Sequence, residues 1–164
     1  MILRSTEIGE EGGHEAGKRL LTEMYEACFG EPVPPILVTE RGKPFFENSK
    51  VYFSISHTKK HAFCVLSEKN VGIDAEEMDR EISLKLAEKV LSPAEKEQFD
   101  AASDKREALL RFWVLKEADA KCKGTGLTGY PNGTAFSLDD PRIFTQDGCY
   151  VAVIETEQEN RYAF

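Results

Sequence analysis

No stretch of this sequence stays apolar for anything near the ~20 residues a membrane-spanning helix needs, so no helical membrane segment and no membrane partner are expected. The opening residues, Met1-Ile2-Leu3-Arg4-Ser5-Thr6-Glu7, lack the charged-then-apolar order of a secretory leader, which points to a cytoplasmic protein. There is no C-x-x-C pair. The four cysteines, Cys28, Cys64, Cys122 and Cys149, are scattered, which argues against a zinc site or a disulfide framework and fits free thiols in a reducing compartment. Positive charge is in deficit: 21 Lys and Arg against 29 Asp and Glu leave a formal charge of −8, so generic nucleic-acid binding is disfavoured. A small phosphorylated ligand is not excluded, since a few well-placed cations suffice locally. Low-complexity segments and repeats are also missing.

What is present is ordinary globular material. At 164 residues, 41% hydrophobic and 30% charged, the chain can bury a core as a single domain or as two small halves packed together. A strand is expected at 1–8 and a helix at 15–29, where Leu20, Leu21, Met24, Tyr25 and Cys28 recur at helical spacing before Gly30. Residues 36–39 read as a short strand, and Arg41-Gly42-Lys43-Pro44 as a turn. Strands are expected at 51–56, 61–67 and 70–75, with Glu68-Lys69-Asn70 as a hairpin turn between the last two. A helical stripe covers 82–90. Ser92-Pro93-Ala94-Glu95 has the form of a capping box opening a helix to about residue 102. Asp104 caps a longer helix, 105–123, stopped by Gly124 and Gly126. Two or three strands, drawn from 134–138, 142–145 and 150–155, close the chain. Helices and strands fall in two groups, which favours α+β over a parallel α/β sheet.

Three short motifs carry chemistry. In Gly72-Ile73-Asp74-Ala75-Glu76, a strand would set the Asp74 and Glu76 carboxylates side by side, where they repel unless a cation lies between them. Trp113, Glu117 and Lys121 stand four apart and share one helical face. Ser54-Ile55-Ser56-His57-Thr58 ends a strand in hydroxyls and one of only three histidines. Taken singly, each has a bland reading: an acidic strand end in water, a surface i,i+4 ion pair, a solvated histidine.

Their order changes the weight. Gly42-Lys43-Pro44, then Ser54-Ile55-Ser56-His57, then Gly72-Ile73-Asp74-Ala75-Glu76, then Trp113-x-x-Lys116-Glu117-Ala118-x-x-Lys121-x-x-Gly124-x-Gly126-Leu127 resembles the phosphopantetheinyl transferase superfamily, most closely the surfactin-synthetase-activating type. The similarity covers about residues 18–127. The resemblance implies one domain over 1–164 with an α+β fold, two similar halves (about 1–76 and 77–164) related by a pseudo-twofold axis, and coenzyme A in the cleft between them. It implies an Mg²⁺-dependent holo-[acyl-carrier-protein] synthase that moves the 4′-phosphopantetheine arm of coenzyme A onto a serine of an apo carrier protein and releases adenosine 3′,5′-bisphosphate. Such carriers serve fatty-acid, polyketide or nonribosomal-peptide synthesis.

Carried over by position, Asp74, Glu76 and Glu117 match the family's metal ligands, and His57 its 3′-phosphate contact with Ser56 beside it. Lys43 matches a lysine reaching the nucleotide, Lys121 the lysine on the diphosphate, and Glu95 a carboxylate proposed as base or further metal contact. Either Glu117 or Glu95 could then accept the serine proton. Three carboxylates make the hard, oxygen-only site that Mg²⁺ prefers, completed by substrate phosphates and water. The stretch before Gly42 is shorter than usual for this type, so only Lys18 or Arg19 matches its first-helix arginine. That shortening gives an alternative, a non-catalytic member that holds coenzyme A or a carrier protein. With both halves' motifs present, a monomer is favoured over the trimers of single-half members.

Overall fold

The computed structural model describes residues 1–126 and 134–157; Leu127, the last position of the long motif, lies outside them. The chain is α+β, as expected. Strand β1 (Ile2–Glu7) leads into helix α1 (Gly13–Phe29), a short ribbon of β2 (Ile36–Val38) and β3 (Pro44–Phe46), and then β4 (Tyr52–His57), β5 (His61–Ser67) and β6 (Asn70–Glu77). A 3₁₀ turn at Leu84–Leu86 precedes helices α2 (Ala87–Val90), α3 (Pro93–Ala101) and α4 (Lys105–Lys123), and β7 (Ile143–Gln146) and β8 (Cys149–Thr156) follow.

Two three-stranded antiparallel sheets carry the molecule, in the orders β1-β5-β4 and β6-β8-β7. Their connectivity is the same: a first strand, then helix, then a hairpin whose second strand returns beside the first. The expected hairpin at Glu68-Lys69-Asn70 does not form. The chain turns there, but β5 bonds to β4 and β1 while β6 bonds along its whole length to β8. The change from one sheet to the other therefore falls at residues 68–69, before β6, rather than at the expected boundary near 76. The expected strand at 134–138 is also absent, its residues being held by single hydrogen bonds to side chains of α3.

Alternation along the strands explains the core. Odd residues of β5, β6 and β8 (Phe63, Val65, Val71, Ile73, Ala75, Cys149, Val151, Val153) form one apolar cluster drawn from both sheets. Even residues Cys64 and Leu66 face α1, and Tyr150, Ala152 and Ile154 join the cluster around α4. The even face of β6 is Gly72, Asp74 and Glu76. A Cβ on Gly72 would stand 2.1 Å from the Ala118 carbonyl and 2.3 Å from the Cys122 nitrogen, so only glycine lets α4 lie directly on β6. That close approach brings the face of α4 bearing Glu117 and Lys121 up to the two strand carboxylates.

The edges of the two sheets meet through side chains. Ser54 Oγ on β4 accepts from the Ile73 amide of β6 at 3.1 Å, and Ser56 Oγ from the Ala75 amide at 3.2 Å. Two hydroxyls thus satisfy edge amides of β6 that backbone pairing leaves open.

Candidate active site

A cleft of about 530 Å³ runs where α1, the 41–44 turn, β4, β6 and α4 converge. His14, Lys18, Arg41, Lys43, His57 and Lys121 line it together with Asp74, Glu76 and Glu117. Cations and carboxylates thus share one cleft, in a volume suited to a small-molecule ligand.

Asp74 is buried, with its side chain 9% exposed. Its Oδ1 accepts from the Lys121 ammonium at 2.7 Å and from the Ser56 hydroxyl at 3.1 Å. Its Oδ2 is buried with no hydrogen-bond partner among the described residues. Burial pushes the Asp74 carboxyl above the usual carboxylate range, opposed by Lys121 and Ser56. Glu76 is half-buried, pairs with Arg80 and is hydrogen-bonded by Trp113; burial and the neighbouring Asp74 charge raise its pKa. Glu117 is pushed up to about 7, first by burial and then by Asp74, with Glu76 adding to the effect and Lys121 and Arg80 opposing it. The three acids therefore crowd one another electrostatically. Among the described residues, no three His, Cys, Asp or Glu side chains are already closed around a metal position. Lys121 pairs with Asp74 at 2.7 Å, so the simple surface pair with Glu117 is not what α4 builds.

His57 is exposed at the end of β4, and its ring lies against the first residue of α1: a Cβ on Gly13 would fall 2.4–2.9 Å from ring atoms. Lys18 borders the cleft, whereas Arg19 turns to Glu11 and Glu23 at 2.8 and 3.1 Å, which separates the two candidates for the first-helix cation. Lys43 lines the cleft with its stem, packed on Gly124, while its ammonium bonds to the Cys122 carbonyl and the Asn70 side chain. Burial lowers its pKa.

Glu95 lies elsewhere. It is fully buried, closes the capping box of α3 through the Ser92 amide at 2.8 Å, accepts from the Phe136 amide at 2.9 Å and pairs with the equally buried Lys116 at 2.8 Å. A carboxylate so enclosed has no surface from which to take a proton from an incoming hydroxyl. The expected role as base or metal contact gives way to a structural one, because the same carboxylate that caps α3 also neutralises the buried ammonium of α4.

His14, Arg41 and the bond from Ser56 to Asp74 were not singled out by sequence. His14 follows the glycine against which the His57 ring packs, and both histidines line the cleft, which neither spacing nor composition signals.

A family model described as the 4′-phosphopantetheinyl transferase superfamily matches residues 70–163. The chain is 27% identical over 135 residues to a 4′-phosphopantetheinyl transferase of Bacillus subtilis, covering 77% of this chain and 60% of that protein. It is 33% identical over 90 residues to the 4′-phosphopantetheinyl transferase gsp of Aneurinibacillus migulanus, covering 54% and 37%. To the 4′-phosphopantetheinyl transferase HetI of Nostoc sp. it is 33% identical over 95 residues, covering 53% and 40%. The matches thus span from 37% to 60% of the lengths of these relatives.

Proposed function

Because this chain belongs to the 4′-phosphopantetheinyl transferase superfamily, we propose that it transfers the phosphopantetheine arm of coenzyme A to a serine of an apo carrier protein in the cleft between its two sheets. The observation that carries the reading is the acidic wall of Asp74, Glu76 and Glu117, with Lys121 paired to Asp74 and further cations lining the same cleft. The repeated strand order supports two halves related by a pseudo-twofold axis.

The acidic wall suits Mg²⁺. Its donors are all carboxylate oxygens, and the buried Oδ2 of Asp74 has no hydrogen-bond partner among the described residues, which suits a hard cation. Asp74, Glu76 and Glu117 would hold the ion. Bound there, Mg²⁺ would offset charge developing on the diphosphate of the leaving adenosine bisphosphate. Lys121 supplies a compact cation beside that diphosphate. His57, exposed at the cleft that Lys18 also lines, is assigned to the 3′-phosphate, and Glu117 is the carboxylate within reach of the serine proton, since Glu95 is enclosed.

Incubation with coenzyme A, Mg²⁺ and an apo carrier protein should add one phosphopantetheine group, read by intact-protein mass spectrometry. Binding of coenzyme A without any mass shift would favour the non-catalytic alternative. His57→Ala should weaken coenzyme A much more than 3′-dephospho-coenzyme A, by roughly ten- to a hundredfold, the scale of a charge-assisted bond to phosphate. Equal losses for both ligands would remove His57 from the phosphate.

A further inference from the structure

Ser54 and Ser56 lie two apart on β4, so their hydroxyls project to the same side, toward β6. Both do the same structural work, each accepting one amide of β6 and knitting the two sheets together. Only Ser56 does more. A hydroxyl has a single proton. With its oxygen receiving the Ala75 amide, Ser56 directs that proton to Oδ1 of Asp74 at 3.1 Å, in a buried setting where the residue keeps only 5% of its surface. The consequence for the carboxylate is geometric. Oδ1 is held by the Ser56 hydroxyl from the β4 side and by the Lys121 ammonium, and Oδ2 is left, among the described residues, as the oxygen without a partner.

We propose that Ser56 is a positioning residue: it orients the Asp74 carboxylate so that Oδ2 is presented to a divalent cation, acting through Asp74 rather than by touching the nucleotide. This rests on the reading of Asp74 as a cation ligand. A partner that fixes a ligating carboxylate characteristically changes metal affinity as much as a ligand of secondary rank does, by about ten- to a hundredfold. It also follows that Ser56 has no proton left for a phosphate while this bond stands, which separates its work from that of His57.

The twin serine supplies the control. Ser54→Ala removes the same kind of sheet-to-sheet bond but touches no carboxylate. Binding of Mn²⁺ alone to the free protein, followed by the electron paramagnetic resonance signal of unbound ion, would be compared for wild type, Ser54→Ala, Ser56→Ala, Ser56→Thr and Asp74→Asn. The expectation is roughly a tenfold loss of Mn²⁺ affinity for Ser56→Ala relative to Ser54→Ala at similar melting temperatures, with Ser56→Thr close to wild type because it keeps the hydroxyl. Should Ser56→Ala not fold, Ser56→Cys, with a poor donor of similar size, takes its place. Equal Mn²⁺ affinity for the Ser54 and Ser56 variants would overturn the proposal and leave both serines as sheet connectors. Wild-type Mn²⁺ affinity in Asp74→Asn would instead overturn the reading of Asp74 on which it stands.

Discussion

Glu117 carries the most telling side chain on the acidic wall, because burial and the adjoining acids raise its pKa from 4.5 to about 7. The sign of its effect on stability follows. A carboxylate whose folded pKa lies above its unfolded value binds more protons when folded, so its contribution favours the fold at low pH and is lost as pH rises from about 4.5 through about 7. Asp74 and Glu76 are displaced in the same direction. The protein held in a chelator should therefore melt at a lower temperature at pH 8 than at pH 5.5, and Glu117→Gln should melt higher than wild type at pH 8. That advantage should vanish well below pH 4.5, where Glu117 is protonated in both states. Thermal denaturation across this range checks it, and an equal offset at both ends would mean Glu117 does not carry the shift. Added Mg²⁺ should raise the wild-type melting temperature at pH 8 and leave Glu117→Gln much less affected. The sequence identified these acids by type and spacing. Their mutual crowding depends on the Gly72 contact between α4 and β6, which only the folded chain brings about.

Helix α4 was readable almost to the residue, because its signals are local: Asp104 accepts from the Glu107 amide at 2.9 Å, and Gly124 closes the helix in the left-handed conformation. The capping box of α3 was equally plain, and β5 was recognisable as a continuous apolar run because both its faces are covered. The stripe at 82–90 yielded only a 3₁₀ turn and the short α2, and the 134–138 strand did not form, the amides of residues 136 and 138 bonding to side chains of α3 instead. What the caps could not convey is the second use of Glu95. Its pairing with Lys116 joins α3 to α4 in the interior, both side chains being essentially without exposure. Removing one member of such a pair strands the other charge, so Lys116→Met should cost about 3–5 kcal/mol of stability in urea unfolding. The double variant Lys116→Met, Glu95→Gln should recover much of that loss. A single substitution costing less than the double one would show that the pair is not what holds these helices.

The two sheets are not independent bodies, because one of the three apolar clusters takes residues from both and the serines of β4 satisfy amides of β6. The family resemblance put the boundary of the halves near residue 76, whereas the sheets change over before β6, and a turn signal at 68–70 looks the same whether the next strand pairs back or crosses into another sheet. Lys43 belongs to this larger arrangement as well. A turn in the first part of the chain holds the Cys122 carbonyl in the last turn of α4, and Asn70 donates to the same oxygen at 2.7 Å. Helix ends ordinarily fray, yet this one is fastened from outside by residues 43 and 70. In hydrogen-exchange terms, the amides of Lys121, Cys122 and Lys123 should open with the whole molecule and not before it. Lys43→Met should release them into fast local exchange while the middle of α4 keeps its protection, so a cation at the rim of the cleft governs how long the helix turn bearing Lys121 stays wound.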